Sequence, residues 1–146
     1  MKKIVIGLVM AATSATLVAL PADQDKAFVD KYKTAYEAGD KATLESFLYT
    51  KDANPTALTF YKAMQADGAG KTLITKIELV DLTPEDVARA SEVQTGPAGT
   101  KAHFSIRPAK KLNITIAGTA GKENTMSIYV AEMDGKYVIP VPASVK

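Results

Sequence analysis

The stretch that most constrains this chain is residues 125–141, TMSIYVAEMDGKYVIPV, which reads as a β-hairpin. Asp134-Gly135 stands between two runs of alternating apolar residues. A two-residue type I′ turn needs positive φ at both central positions, and Asp-Gly tolerates that while matching the twist of the flanking strands. A two-residue loop also sets the register. Met133 then faces Lys136, Glu132 faces Tyr137, Ala131 faces Val138, Val130 faces Ile139 and Ile128 faces Val141. Because strand side chains alternate with period two, one face carries Ile128, Val130, Ile139 and Val141, with Glu132 and Tyr137 near the tip. That is the expected core face. The opposite face holds Tyr129, Ala131, Met133, Lys136, Val138 and Pro140, and is apolar enough to invite a second covering layer. Pro140 cannot donate to a ladder, so its strand is an edge or stops there.

The 146 residues suffice for one domain and not two. The first 22 are read separately. Met1-Lys2-Lys3 is a short positive segment, residues 4–19 hold no charge and are mostly apolar, and small residues with Pro21 precede the charged Asp23. That order is a Sec-type signal peptide, with cleavage expected after Ala22 or alternatively after Ala19. An uncleaved anchor is the competing reading, against which the apolar run is short for a span. The expected organisation is therefore a signal peptide over 1–22 and a single domain over 23–146. It would be exported to the periplasm or beyond, with no membrane span once the signal is removed. There is no cysteine, so a lipid anchor on cysteine and disulfides are both excluded. Removing Lys2 and Lys3 from the 18 Lys+Arg leaves 16 against 16 Asp+Glu. A neutral domain lacks the basic footprint of a nucleic-acid binder.

Residues 23–38 read as a helix, since Phe28, Val29, Tyr32, Ala35 and Tyr36 recur at three- and four-residue spacing. Asp23 or Asp25 suits its start, and Gly39 suits the left-handed position after its end. Asp40 caps a second, shorter helix with Leu44, Phe47 and Leu48 as its apolar stripe. Asn54-Pro55 opens a third, in which Leu58, Tyr61 and Met64, with Gln65 as a further candidate, face inward, and Gly68 with Gly70 ends it. The tyrosines read as amphipathic residues at the core's edge with their hydroxyls in water.

At residues 72–82 the period changes from 3.6 to 2. Leu73, Thr75, Ile77, Leu79 and Asp81 form the expected inward face of a strand; Lys76 and Glu78 mark the outward one. Thr83-Pro84-Glu85-Asp86 is a helix-start signature, predicting a short helix from Pro84 to about Ala90; a strand at 88–93 is the runner-up. Residues 95–100 read as a loop. Ala102, Phe104 and Ile106 alternate with Lys101, His103, Ser105 and Arg107 in a half-buried strand, and Leu112, Ile114 and Ile116 mark the next.

Helices followed by four or five antiparallel strands make an α+β pattern: N-terminal helices packed on a curved antiparallel sheet that ends in a β-hairpin. Two features carry a family likeness. One is the join Ala38-Gly39-Asp40 followed by Leu44 and Phe47-Leu48-Tyr49. The other is the closing hairpin from Glu132 to Ile139. On these the chain resembles the nuclear-transport-factor-2-like superfamily, which includes ketosteroid isomerase-like and polyketide cyclase-like enzymes. The resemblance implies a cone in which the sheet wraps the first helix. It also implies a range of roles: isomerases, dehydratases, ligand carriers, dimerisation modules and exported proteins. No catalytic motif of those enzymes aligns here, so no catalytic residue is carried across.

The residues themselves offer little chemistry. One histidine and no cysteine cannot make a transition-metal site without carboxylates, and no loop has a calcium-binding pattern. There is no GxSxG, P-loop or GxGxxG, and no cofactor is implied. His103 falls on the non-core face of its strand and reads as an exposed histidine, with a general base on a binding surface as the sharper alternative. Acid–base work by carboxyl and phenol groups is the one open enzymatic route. If the cone is open, Asp81, Glu132 and Tyr137 share its inner face, and Tyr32 or Tyr36 supplies a hydrogen-bond donor. These five are the candidate pocket residues. The leading expectation is a non-enzymatic binding or accessory module of the cell envelope that takes a small apolar ligand or a protein partner. The alternative is a lyase- or isomerase-type enzyme using Asp81 or Glu132 with a tyrosine. A third reading is a homodimer through the outer sheet face, involving Tyr129, Val138 and the strand of His103 and Arg107.

Overall fold

The computed structural model describes residues 22–96 and 99–145. The expected signal peptide lies outside the described residues except for Ala22, which opens the first helix, α1 (Ala22–Ala38). After α1 come α2 (Lys41–Ser46), β1 (Leu48–Tyr49), α3 (Pro55–Ala66), β2 (Ile74–Asp81) and α4 (Pro84–Ser91). Then follow β3 (Gln94–Thr95), β4 (Lys101–His103), β5 (Lys110–Ala117), β6 (Glu123–Met133), β7 (Lys136–Pro140) and β8 (Ala143–Ser144). The α+β class expected from the sequence is the class observed. No helix among the described residues is long and apolar enough to cross a membrane.

The main sheet has the order β1-β7-β6-β5-β2. Its organising hairpin has the register read from Asp134-Gly135: Met133 pairs with Lys136, Glu132 with Tyr137 and Ala131 with Val138. Asp134 (φ 50°) and Gly135 (φ 74°) both take the positive φ that a type I′ turn demands. The inward face then buries Ile128, Val130, Ile139 and Val141 beside Leu112 and Ile114 of β5. Phe28, Tyr32, Ala35 and Tyr36 of α1 close over that face, as their helical spacing requires.

Several local expectations are corrected. Leu48 does not extend α2. Asp40 caps that helix through Thr43 N–H, Phe47 ends it, and Leu48–Tyr49 pair parallel to β7. Ile139 N–H donates to Phe47 O and Val141 N–H to Tyr49 O. Strand β7 is therefore not an edge, but it does stop at the proline. In β2 the register shifts between Ile74 and Lys76, so Thr75 is an extra residue. One inserted residue exchanges the faces: Ile77 and Leu79 pack inward as expected, whereas Ile74 takes the inner position and Leu73 is left 65% exposed.

The strand expected from residue 101 to 107 ends at His103. It joins a second small sheet, β3-β4-β8, which the sequence reading did not foresee. Beyond it the burial still alternates, and the Phe104 ring packs edge-on against Tyr129 at 5.7 Å between centroids. The half-apolar outer face of the hairpin is thus covered in part, and Ala131 is fully buried.

Helix α4 forms where the Thr-Pro-Glu-Asp signature predicts it, and its capping box is complete. Thr83 N–H donates to Asp86 Oδ2 and Asp86 N–H donates to Thr83 Oγ1. Lys111 Nζ of β5 lies 2.9 Å from the same Asp86 oxygen and fastens the helix to the sheet. The Lys111 hydrogen bond, helped by the Thr83 backbone N–H, holds the Asp86 carboxyl down to about 2. A carboxyl whose folded pKa is depressed contributes stability that is present above its ordinary pKa and is lost as pH falls through the folded value. Urea midpoints should therefore fall between roughly pH 4 and pH 2, and Asp86→Asn should flatten that limb. A variant with the parent's acid limb would show that Asp86 is not its source.

Candidate functional site

The cone interior is filled by rings. Phe28 sits 5.2 Å from Phe47 and 5.6 Å from Tyr137, and Tyr32 sits 5.8 Å from Phe47, centroid to centroid. Tyr32 and Tyr36 are fully buried, which corrects their reading as core-edge residues with wet hydroxyls. The Tyr36 hydroxyl donates to the Asp67 carbonyl at 2.9 Å and lies 3.0 Å from Thr72 Oγ1, so it ties α1 to the end of α3. The Tyr32 hydroxyl has no hydrogen-bond partner among the described residues, and burial pushes its pKa upward. Both phenols serve as core.

The other three candidates lie at the hairpin end, where the structure adds two residues. The Tyr137 hydroxyl donates to Asp25 Oδ1, and Lys110 Nζ lies 3.2 Å from Asp25 Oδ2. Lys110 also lies 3.2 Å from Asp81, whose side chain is 89% exposed. Asp81 is thus not enclosed, because it ends its strand. Glu132 is half-buried opposite Tyr137. Burial raises the Tyr137 phenol, and the Asp25 hydrogen bond and charge, then the Glu132 and Asp81 charges, raise it further. For Lys110, burial alone would lower the pKa, but its bonds to Asp25 and Asp81 more than offset this and the net shift is upward.

This cluster is a carboxyl within reach of a phenol, which is what acid–base chemistry needs, though the carboxyl is Asp25 and neither Asp81 nor Glu132. Its geometry works against that chemistry. Both Asp25 oxygens are engaged, and burial together with the Asp25 bond holds the phenol protonated. The arrangement acts as a latch from the first turn of α1 to β5 and β7. Asp25 was legible as more than a cap, since it precedes Phe28 by three residues and so belongs to the buried stripe of α1.

An open concave surface of about 360 Å³ borders the Phe28, Phe47 and Tyr137 rings between α1 and the hairpin tip, and two others lie outside the cone. A groove of about 260 Å³ runs between α3 and the small sheet, lined mainly by apolar atoms of Ala57, Phe60, Tyr61, Ala102 and Pro142. Phe60 is 61% exposed there. Burial pushes the Tyr61 phenol up to about 12, with the nearby Tyr129 phenol adding to the shift. Gln94 and Thr95 of β3 border the groove; both are exposed, and among the described residues β3 pairs with β4 alone. A second cleft, of about 320 Å³, lies beside α4 and holds His103, Ser105 and Arg107. Among the described residues no group of three or more acidic or histidine side chains could hold a metal ion.

No family model matches the chain. No curated protein matches it either. Among solved structures, the chain is similar to a protein from Campylobacter jejuni described as an NTF2-like transpeptidase. That similarity is at 11% sequence identity and a TM-score of 0.41, covering 78% of this chain and 94% of that one. The fold class stated above rests on the strand order and packing of this chain itself.

Proposed function

We propose that the chain is an exported bacterial binding module of the NTF2-like type. In it the cone is a filled scaffold, and the groove between α3 and β3 holds an extended segment of a partner protein. The observation that carries this reading is an apolar groove beside a strand edge that is unpaired among the described residues. An extended segment laid along β3 would use the edge's open N–H and C=O groups, while one of its side chains packed against the edge-to-face pair of Phe60 and Tyr61. A groove of about 260 Å³ is small for an isolated ligand that must bury most of its surface. It suits a single aromatic or branched side chain. The signal-like N-terminus supports export, and the neutral charge after residue 22 argues against nucleic acid.

The enzymatic reading, a lyase or isomerase, has the Tyr137–Asp25 hydrogen bond on its side. It is disfavoured because both Asp25 oxygens are occupied and Asp81 stands in solvent. A homodimer through the outer sheet face has less support, because Phe104 already covers Tyr129 there.

A displayed library of random seven-residue peptides, selected on the mature protein, tests the groove. Enriched peptides should share one aromatic or branched apolar side chain. Their binding should fall at least about tenfold on Phe60→Asp, a change at an exposed position that leaves the fold intact. Enrichment indifferent to Phe60→Asp, or no enrichment over that variant, would overturn the reading.

A further inference from the structure

The cleft beside α4 takes part in neither the cone nor the groove. Strand β4 separates the two outer sites. Its Ala102 lines the apolar groove and its next residue, His103, lines this cleft, as strand alternation requires. One wall is apolar and comes from Leu82, Val87 and Ala90. The other comes from residues 103–108, the end of β4 and the segment after it, where His103, Ser105 and Arg107 alternate with Phe104 and Pro108.

The charge in this cleft is unspent. Arg89, the chain's other arginine, is paired with Glu85. Lys110 and Lys111 are paired with Asp25, Asp81 and Asp86. By contrast, neither Arg107 nor His103 has an ion-pair or hydrogen-bond partner among the described residues. Lys101 lies on the same side of β4 as His103, two residues along. The segment is also held in place, since the Phe104 ring packs on Tyr129 and Pro108 is buried. A guanidinium presents a planar fork of donors that matches a carboxylate in two-point fashion. An apolar wall opposite the fork would exclude water from that contact and cover a compact hydrocarbon body.

We infer that this cleft is a binding site for a small organic carboxylate with an apolar body, with Arg107 gripping the carboxylate, His103 and Ser105 completing its hydrogen bonds, and Leu82 and Val87 covering the rest. A volume of about 320 Å³ is at the small end of such sites. The inference does not depend on the groove or on what the groove binds.

The test is a titration of the ¹⁵N-labelled mature protein with benzoate, benzyl alcohol and inorganic phosphate. Benzoate should shift the amides of Ser91 and of residues 103–107 saturably, and neither benzyl alcohol nor phosphate should match it. Arg107→Gln should weaken benzoate at least about tenfold, and Arg107→Lys should fall between the two. Arg107 is exposed, so both variants keep the parent's spectrum elsewhere. Equal binding of benzoate by Arg107→Gln would overturn the inference. So would benzyl alcohol or phosphate binding as tightly as benzoate, or no saturable shift at millimolar benzoate.

Discussion

Tyr32→Ala is expected to lower the free energy of unfolding by about 3–5 kcal/mol, the range for deleting a buried ring. The ring stands fully buried among Phe28, Phe47 and Tyr36, where a cavity cannot readily collapse. That loss is a large share of the roughly 5–15 kcal/mol that holds a domain of this size. The companion change separates the ring from its hydroxyl. Tyr32→Phe removes a buried hydroxyl that has no partner among the described residues, so it should be neutral or stabilise by about 1 kcal/mol. Tyr36→Phe removes a hydroxyl bonded at Asp67 O and Thr72 Oγ1, and should destabilise by about 1–2 kcal/mol. Urea unfolding of the three variants gives the comparison. If Tyr32→Phe destabilised as much as Tyr36→Phe, the Tyr32 hydroxyl would have a partner in solution and the interior would not be a sealed core.

The second large effect is expected at Gly70. The ends of α1 and α3 meet backbone to backbone, with the Tyr36 carbonyl accepting from both Gly39 N–H (3.1 Å) and Gly70 N–H (2.7 Å). Gly70 has φ of 75°, and a Cβ there would come 3.1 Å from the Gly39 Cα. Gly70→Ala should therefore combine about 1–2 kcal/mol of left-handed strain with overpacking against a backbone that cannot rotate away. The expected loss is about 2–4 kcal/mol, read from the shift of the urea midpoint. By contrast, Gly121→Ala has open space and should show the strain alone. Equal losses at the two positions would mean that the Gly39–Gly70 contact contributes nothing.

Much of this fold could be read before the structure, because the local signals and the tertiary packing agree. Asp134-Gly135 gave the hairpin register. Asp40, Asn54 and Thr83 gave three helix starts, and the period-two run at Leu112 and Ile114 gave strand β5. The misreadings have a shared cause: each depended on a partner distant in the chain. Nothing local to Leu48–Tyr49 announces a parallel pairing with β7, and Thr75 becomes a bulge only against the register of β5. The same holds for strand β4, which ends early because it pairs with β3 and β8 rather than with the main sheet.

The site followed the same rule. The inner face of the hairpin brings Tyr137 and Glu132 together, whereas Asp81, the last residue of β2, stands in solvent. Two residues that complete the cluster were present in the pattern and unread. Asp25 lies on the stripe of Phe28 and Tyr32, and Lys110 lies two residues before Leu112, on the same inward face. A charged residue in phase with a buried stripe is a signal that a partner of opposite charge waits across the core, and here each supplies the other. The periodicity of Tyr32 and Tyr36 does not reveal how deep they sit; the wrapping of the sheet around α1 decides that and buries both.

Native mass spectrometry of the protein, expressed from the full chain and purified without denaturant, tests the filled cone most directly. The predicted result is a polypeptide that begins near residue 23, with no small molecule retained under conditions gentle enough to keep the fold. A retained small molecule that is lost in Tyr32→Ala and kept in both Phe60→Asp and Arg107→Gln would contradict it, because that ligand would have to occupy the interior that the rings of Phe28, Tyr32 and Phe47 are held to fill.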